Sequence, residues 1–440
     1  MGDSPPVQDT LYCGPDLHRA ADESHVRRAF CDRARGVRNA VALLSDVGTG
    51  RLNRRNEPRF ELVVATGKGV DSDETVTAAY AGHGANREWC LSTVVGEYTE
   101  AERLVASRPE DLQRRLMELR NTVDVLFVDG MPREFRTAFG LPFAGMPAWV
   151  KQRVRVRSDW AAQIDGLRRV TRQETGRILR KYQYRCALTR NPDHYTHFYE
   201  DLYKPYVTQR FGAAAHVVEP QAFRRECGRG TLIRVTRDDV VLGASLLRPV
   251  GRTMAVVWSA MNPAKDAGDL RGVNDALDYF SLLYAHLHGS RWLDLGPSRP
   301  DLLDGILRYK SKWGAEVHGG VVPQSTIYWT CMSKRIPEFL LRHAFVIRVH
   351  GSFRAVFVID GNCNPDAEAA RLAAALTPGI KDYRVVALSP RDDRLEVALR
   401  GVDANLTLVH ASGPAEVMAA ITGPAVPARG PMQAARPAAR

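Results

Sequence analysis

The chain has 440 residues, 45% hydrophobic and 25% charged, which is typical of a globular protein and excludes a disordered or fibrous one. No run approaches the roughly 18 consecutive apolar residues that span a bilayer, and the N-terminus lacks the apolar stretch of a secretory signal. The net charge of +11 indicates either a polyanionic partner, such as RNA, anionic lipid or a phosphate-rich cofactor, or a solvated basic surface.

The seven cysteines are scattered along the chain and include no C-x-x-C pair. This spacing argues against a disulfide framework and against a zinc site, and it favours a reducing compartment. The sequence therefore predicts a cytoplasmic protein without a metal centre.

The first half of the chain predicts a polar segment and then an α/β lobe. Residues 1–58 are polar with one short apolar run, which indicates an N-terminal polar or helical segment. "FELVVATG", "TVTAAYAG" and "WCLSTVVGEY" are then predicted as strands, followed by a helix that leads into the strand "VDVLFVD". Alternation of this kind predicts a mixed α/β lobe over 59–150.

A basic helix opens the second lobe, which we place at 151–335. After the strand-like "QRVRVR" the periodicity predicts a helix over 159–185, and one face of it is cationic. The cations on this face are Arg168, Arg169, Arg172, Arg177, Arg180 and Lys181. Such a face attracts phosphates, or it is simply a solvated connecting helix.

The rest of the chain predicts an antiparallel meander, two helices and two small terminal segments. "GTLIRVTRDDVVLGASLLRPVGRTMAVVWSAMNP" gives three consecutive strands, and the order helix, strand, helix, strand follows. Residues 336–425 predict a small βαββα domain of unknown role. The Pro/Ala/Arg-rich tail, 426–440, is predicted to be disordered.

The stretch "LDLGPSRPDLLDGILRYKSKWGAE" places a lysine where its helix should be apolar. Leu303, Ile306, Leu307, Lys310 and Trp313 fall on one stripe at about 100° per residue, with Lys310 near its centre. A lysine there pays for desolvation unless it reaches water or meets an anion or carbonyl groups. We therefore expect Lys310 either to extend into solvent or to point into a cleft that holds a phosphate or an oxyanion.

Two further residues bound this stretch. Ser298, followed by Pro300, gives a plausible helix start whose free N–H groups could hold an anion. Asp294 alternates with its apolar neighbours in the strand, so it faces the other side and is a candidate for a buried, hydrogen-bonded carboxylate.

These segments resemble the Fem-type (FemAB-like) branch of the GNAT acyltransferase superfamily. "DLG-S…DGILRYKSKWGAE" is similar to the pattern D-F-G-x-S…F-K-x-x-W-G that closes the family's second lobe. The basic helix, the helix "FYEDLYKPYVTQRFGAAAH" and the hairpin that ends at Trp258-Ser259 agree in order and spacing. The similarity covers about 155–325, extends to 60–150 only in its α/β texture, and has no counterpart after 335.

The resemblance implies an α/β (α+β) fold of two tandem GNAT-like lobes with mixed sheets flanked by helices, plus a small C-terminal α/β appendage. It implies transfer of an acyl or aminoacyl group to an amine, with Lys310 at the active cleft. Ser259 and Tyr309, which replaces the usual Phe, are candidates for proton or hydrogen-bond partners. The candidates for binding substrate or donor are Arg180, Lys181, Arg271, Asp294, Ser298, Arg299 and Trp313.

The sequence does not determine which acyl donor is used. Ordinary CoA-binding members carry a Q/R-x-x-G-x-G/A pyrophosphate loop, of which only Arg271-Gly272 is present here. Fem-type members that lack this loop use aminoacyl-tRNA, whereas other members are acetyltransferases. The expectation is acyl-CoA or aminoacyl-tRNA as donor substrate, with no tightly bound cofactor.

The partners and the competing function also stay open. We expect a small-molecule or carrier-bound amine as acceptor and no integral membrane association, and tRNA or a second copy of the chain could be a partner. The alternative is a non-catalytic RNA- or anionic-lipid-binding protein that retains the GNAT fold.

Overall fold

The computed structural model describes residues 60–423, apart from 71, 213–214, 216, 320–325, 334–338, 389–392 and 403–404. The predicted segments 1–58 and 426–440 lie outside these residues. The described chain divides into two compact units. The seven-stranded unit consists of 151–297 and 309–318, and the two-sheet unit consists of 60–150, 298–308 and 319–423.

The strands are β1 (Phe60–Gly69), β2 (Thr75–Gly82), β3 (Val95–Ala106), β4 (Val125–Asp129), β5 (Ala144–Pro147), β6 (Val150–Arg155), β7 (Arg185–Thr189), β8 (Thr231–Arg237), β9 (Val240–Val250), β10 (Thr253–Met261), β11 (Trp292–Ser298), β12 (Glu316–His318), β13 (Thr326–Cys331), β14 (Ala344–Val349), β15 (Ser352–Asp360), β16 (Asp382–Leu388) and β17 (Leu406–His410).

The helices are α1 (Arg87–Val94), α2 (Pro109–Glu118), α3 (Arg133–Thr137), α4 (Trp160–Asp165), α5 (Arg169–Tyr182), α6 (Pro192–His197), a π-helical turn (Phe198–Tyr203), α7 (Lys204–Phe211), α8 (Pro220–Cys227), α9 (Val273–Leu287), α10 (Gly305–Lys312), α11 (Phe339–Arg342), α12 (Pro365–Ala375), α13 (Asp393–Arg400) and α14 (Pro414–Thr422).

The seven-stranded sheet has the order β12-β6-β11-β10-β9-β8-β7. β7 to β10 form an antiparallel meander, and β10 then pairs with β11 in parallel after the crossover through α9. Both faces of the meander are buried: along β8, Ile233 belongs to one hydrophobic cluster and Leu232 to the other. The second cluster is aromatic and includes the π-helical turn together with the half-buried Trp258.

The two-sheet unit contains a six-stranded sheet, β3-β1-β2-β4-β13-β5, and a four-stranded sheet, β14-β15-β16-β17. In the larger sheet β2 and β4 are parallel, whereas β1 is antiparallel to both of its neighbours and β13 is antiparallel to both of its own. In the smaller sheet the β14–β15 hairpin is followed by parallel strands. The predicted class, mixed α/β sheets flanked by helices, is confirmed.

One predicted strand is a helix, and another is a helix in its first part and a strand in its second. "WCLSTVVGEY" begins as α1, because Cys90, Leu91 and Val94 are buried at helical spacing. The "RLEVALRG" strand of the predicted βαββα domain is instead α13, in which Leu395 and Leu399 are buried while Val397 is 65% exposed. In a strand all three side chains would share one face, so this exposure pattern marks the helical period.

Two features alter the predicted lobes. The basic helix predicted over 159–185 is broken into α4 and α5, with Gly166 at the C-cap of α4. β13 (Thr326–Cys331), which the sequence places in the second lobe, pairs with β4 and β5 in the six-stranded sheet. The small C-terminal domain also gains the strands β14 and β17, which gives the order ββαβαβα.

Candidate functional site

The parallel strands β10 and β11 diverge in the seven-stranded unit. They pair only over Thr253–Trp292, Met254–Leu293 and Ala255–Asp294, although β10 continues to Met261. β10 also carries a register irregularity against β9 between Val256 and Trp258. We call β10 and β11 the open pair, since beyond Ala255 their backbone groups do not form hydrogen bonds with each other.

Gly296, at the end of the open pair, is held from two sides. Its φ of +79° lies in the left-handed region that favours glycine, and its N–H donates to Asp294 Oδ1 at 2.8 Å. Its carbonyl accepts a hydrogen bond from Lys310 Nζ at 3.1 Å, and the carbonyl of Pro297 accepts a second one at 2.8 Å. Asp294 is hydrogen-bonded, as predicted, but half-buried rather than buried, and its other oxygen lies 3.9 Å from Lys151 Nζ.

The helix that carries Lys310 begins later than predicted. α10 starts at Gly305, and the Asp304 side chain accepts the N–H groups of Ile306 and Leu307 at 2.9 Å each. Asp304 therefore caps the helix, and Ser298 is instead the last residue of β11. On α10, Leu307 is buried whereas Lys310 is half-buried, so the apolar stripe opens at the lysine.

Two acidic residues of α9 face this helix, and sequence reasoning missed both. Asp275 Oδ1 lies 2.6 Å from Lys312 Nζ, and the Lys312 ammonium lies 4.3 Å from the centre of the Tyr309 ring. Asp278 stands one helical turn further along α9 and interacts electrostatically with Tyr309 and Lys310. Their i,i+3 spacing in "VNDALDYF" puts both on one face of α9, but nothing local shows which helix that face meets.

Burial shifts the two groups beside Lys310 in the same direction. It raises the pKa of Asp278 to about 6, although Tyr309, Lys310 and Lys312 act against the shift. It also raises the pKa of the Tyr309 hydroxyl well above its usual range, with Asp278 adding to the effect. Tyr309 therefore remains a phenol at neutral pH and can donate a hydrogen bond, whereas Asp278 titrates near neutrality.

The other predicted residues of this unit do not all converge on the open pair. Ser259 lies on β10, and its hydroxyl shares a hydrogen bond of 2.7 Å with Ser245. Arg271 is exposed, and its backbone carbonyl accepts a bond from Tyr184. Trp313 is 1% exposed and packs in the hydrophobic core. Arg180 and Lys181 are exposed in the last turn of α5.

Ser298 and Arg299 belong to the two-sheet unit. Ser298 is 1% exposed. Arg299 donates to Asn86 Oδ1 at 3.0 Å and to the carbonyl of Ala148 at 3.3 Å. The sequence predicts that this arginine binds an anionic substrate group. It does not predict which residues surround the guanidinium.

The described residues contain neither a membrane-spanning helix nor a metal-binding cluster. No helix among them is both long and apolar enough to cross a bilayer. No three His, Cys, Asp or Glu side chains in the same residues are grouped closely enough to hold a metal ion.

Comparison with known proteins gives similarities of fold. No family model and no curated protein matches the chain. Among solved structures it is similar to FemX, with 12% identity, a TM-score of 0.33, and coverage of 60% of this chain and 83% of that one. It is also similar to a tandem GNAT protein from the clavulanic acid biosynthesis pathway, with 12% identity, a TM-score of 0.27, and coverage of 64% and 86%.

A third similar structure is a GCN5-related N-acetyltransferase from Sphaerobacter thermophilus, with 11% identity, a TM-score of 0.27, and coverage of 59% of this chain and 74% of that one. Fem and GNAT proteins are thus among the solved structures that this chain is similar to, as the sequence motifs predict. At these identities the likeness concerns the fold alone.

Proposed function

We propose that the chain is an N-acyltransferase of the Fem-like GNAT type, which joins an acyl or aminoacyl group to an amine as an amide. The observation that carries this proposal is the open pair with the Lys310 ammonium at its end. Diverging strands leave main-chain donors and acceptors available to an extended ligand, and a cation beside them suits a phosphate or a developing oxyanion.

The reaction would proceed by attack of the acceptor amine on the donor's activated carbonyl. The C–N bond forms while the C–S bond of an acyl-CoA, or the ester C–O bond of an aminoacyl-tRNA, breaks. The amine proton leaves with the thiol or the 3′-hydroxyl. Lys310 would stabilise the oxyanion or a donor phosphate, and Tyr309, held as a phenol, would donate a hydrogen bond rather than act as a base.

The exposed cationic residues of α5 and of its N-cap support aminoacyl-tRNA as the donor. Arg168, Arg169, Arg177, Arg180 and Lys181 are all exposed, and we call them the basic face. Phosphate backbones bind such faces in a salt-dependent way. The absence from the sequence of a complete CoA pyrophosphate loop points in the same direction.

Filter binding separates the donors. A mixed pool of charged tRNA is retained on the protein with CoA and acetyl-CoA as competitors. Retained tRNA that CoA fails to displace, and that weakens steeply with salt, would support an aminoacyl-tRNA donor. Displacement by CoA would support an acyl-CoA enzyme, and the absence of binding by either ligand would contradict the proposed chemistry.

The variant Lys310→Ala tests the catalytic role, with Arg308→Ala as its matched control. Arg308 is an exposed cation on the same helix, so its loss changes the net charge equally. We expect K310A to lose about a hundredfold or more in turnover with native circular dichroism, and R308A to keep wild-type turnover. Equal turnover of K310A and the wild type would overturn the role of Lys310.

One observation favours the alternative, a binding protein without chemistry. Lys310 Nζ already donates to two backbone carbonyls, so its contribution could be to hold the strand end rather than to meet a substrate. In that case RNA or anionic vesicles would bind K310A as well as the wild type, and binding would depend on the basic face. No amide product would then form with any donor.

A further inference from the structure

A polar cluster lies where the parallel strands β2 and β4 of the two-sheet unit end. These strands pair along the whole of β4, up to Gly82 opposite Asp129, and we call them the closed pair. The Tyr80 hydroxyl and the Asn86 amide nitrogen both donate to Asp129 Oδ2, at 2.9 Å each. All three polar side chains are nearly inaccessible, at 0% for Tyr80, 5% for Asn86 and 3% for Asp129.

This cluster fixes the orientation of Arg299. Because the Asn86 nitrogen is committed to Asp129, its Oδ1 is the atom that accepts from Arg299 Nη1. The carbonyl of Ala148 accepts from the same nitrogen at 3.3 Å. The guanidinium carbon also lies 3.7 Å from the ring centre of Trp149 and 4.6 Å from that of Trp89. An oriented fork beside two indole rings is a preorganised anion binder.

The oriented cation has no counter-ion in contact. Burial lowers the pKa of Arg299 to about 10, which means that the charged form is disfavoured at this position. No carboxylate among the described residues lies within ion-pair distance of it. Asp304 and Asp129 act on its charge from further away, and Asn86 links Asp129 to it by hydrogen bonds. Both of these hydrogen bonds use Nη1, which leaves Nε and Nη2 without an acceptor in the described part of the chain.

We propose that Arg299 forms an oxyanion-binding site in the two-sheet unit, which takes the carboxylate or the phosphate monoanion of a ligand. Two oxygens of such a group match the open edge of the guanidinium, and the indole rings limit competing hydration. The buried Asp129 carboxylate close by favours a singly charged ligand over a dianion. This inference does not depend on the proposed transfer reaction, whose residues belong to the other unit.

Titration of the full chain with anions tests the site. Acetate and methyl phosphate are added at constant ionic strength and at a pH of about 5.5, where methyl phosphate is mostly a monoanion. Tryptophan fluorescence follows binding, since Trp89 and Trp149 lie beside the guanidinium. The variants are Arg299→Gln, Arg299→Lys and the matched control Arg371→Gln, whose arginine is paired with Glu368 in the same unit. We expect saturable binding to the wild type, a dissociation constant about tenfold higher in R299Q, and no change in R371Q.

The comparison of anions and variants decides the outcome. Tighter binding of acetate would identify a carboxylate ligand, and tighter binding of methyl phosphate a phosphate. R299K keeps the charge but loses the fork, so it should also bind more weakly while its circular dichroism stays native, which covers the case that R299Q fails to fold. No binding to the wild type at ~10 mM, or binding to R299Q and R299K as tight as to the wild type, would overturn the site.

The same titration keeps this inference separate from the proposed function. We expect K310A to bind anions as the wild type does, because Lys310 is not part of the cluster around Arg299. A chain that binds anions through Arg299 but forms no amide would contradict the acyltransferase proposal and leave the anion site standing.

Discussion

The open and closed pairs differ in the space around the glycine at the end of the two parallel strands. In the closed pair a glycine stands where no side chain fits, because a Cβ on Gly82 would lie 2.4 Å from the carbonyl oxygen of Asp129. In the open pair a Cβ on Gly296 would lie 3.7 Å from the nearest atom, the carbonyl oxygen of Val256. The strands of the closed pair are therefore in close contact at Gly82, whereas there is space for a further atom beside Gly296.

The difference determines which groups each end can offer a ligand. Where the strands stay paired, the backbone is consumed by the ladder, and the polar chemistry comes from the side chains of Tyr80, Asp129, Asn86 and Arg299. In the open pair, where the strands diverge, backbone N–H and C=O groups can bind a ligand. Side chains such as Asp294 and Lys310 fix the conformation of that backbone. The two ends therefore suit different parts of ligands.

The largest effect on stability is expected from adding a methyl group at Gly82, where the closed pair has no space for it. Gly82→Ala forces a methyl group into the Asp129 carbonyl, so β2 or β4 must shift, and we expect a loss of about 3 kcal/mol in the free energy of unfolding. Gly305→Ala is the control, since a Cβ there meets nothing within 4 Å. Urea denaturation measures both. A change below about 0.5 kcal/mol in G82A would show that the pair is not tight.

Beside the open pair, the pH dependence of Asp278→Asn should be the next largest effect. Because burial raises the folded-state pKa to about 6, above its unfolded value, this group favours the folded state at low pH, and the benefit is lost as the pH rises through 6. The variant has no carboxyl to ionise, so its stability relative to the wild type should rise by up to about 3 kcal/mol between pH 4 and pH 7.

Denaturation midpoints at several pH values check this expectation. A constant difference between D278N and the wild type from pH 4 to pH 7 would mean that Asp278 is as well solvated in the folded chain as in the unfolded one. Asp165→Asn, at a 73% exposed aspartate, is the control for the loss of one carboxylate.

The two-sided grip on Gly296 predicts coupling between Asp294 and Lys310. Asp294→Ala removes the acceptor of the Gly296 N–H, and Lys310→Ala removes the donor to its carbonyl, each at a cost of about 1 kcal/mol. Since both act on one peptide segment, the double variant should depart from additivity by at least ~0.5 kcal/mol. Additive losses in a double-mutant cycle would show that each bond acts alone.

The smallest effect is expected away from both pairs. Arg172→Gln breaks an ion pair with Asp165 whose side chains are 39% and 73% exposed. Solvent screens such a pair, so the loss should stay below about 0.5 kcal/mol and shrink in salt. A larger loss would mean that the Arg172–Asp165 pair anchors α5, and thermal denaturation at two salt concentrations would reveal it.

Local patterns predicted the elements that carry the open pair but not their partners. The meander, the helix after it and the odd lysine of α10 follow from periodicity within about 20 residues of chain. Lys310 donates to the carbonyls of Gly296 and Pro297 in the preceding strand. The position of the lysine on the apolar stripe does not predict these acceptors. Asp278 escaped notice because nothing in the local sequence shows which helix its face of α9 meets.

The closed pair was largely beyond sequence reasoning. The sequence predicted Arg299 as an anion-binding residue, but the residues that orient it, such as Asn86 and Trp149, lie more than 100 positions away. α13 was mistaken for a strand because a short apolar run fits either period until burial shows which residues face inward.

The path of β13 has a consequence for how the chain is made. Asp129 ends β4, and the strand that completes its ladder begins at Thr326, so roughly 200 residues separate them, or on the order of 10 to 40 s of synthesis. During that interval β5 has no neighbour in its sheet, and one side of β4 is an unprotected edge. A nascent chain cut short before β13 should therefore be aggregation-prone, and the first lobe reaches its native sheet only when most of the chain has left the ribosome.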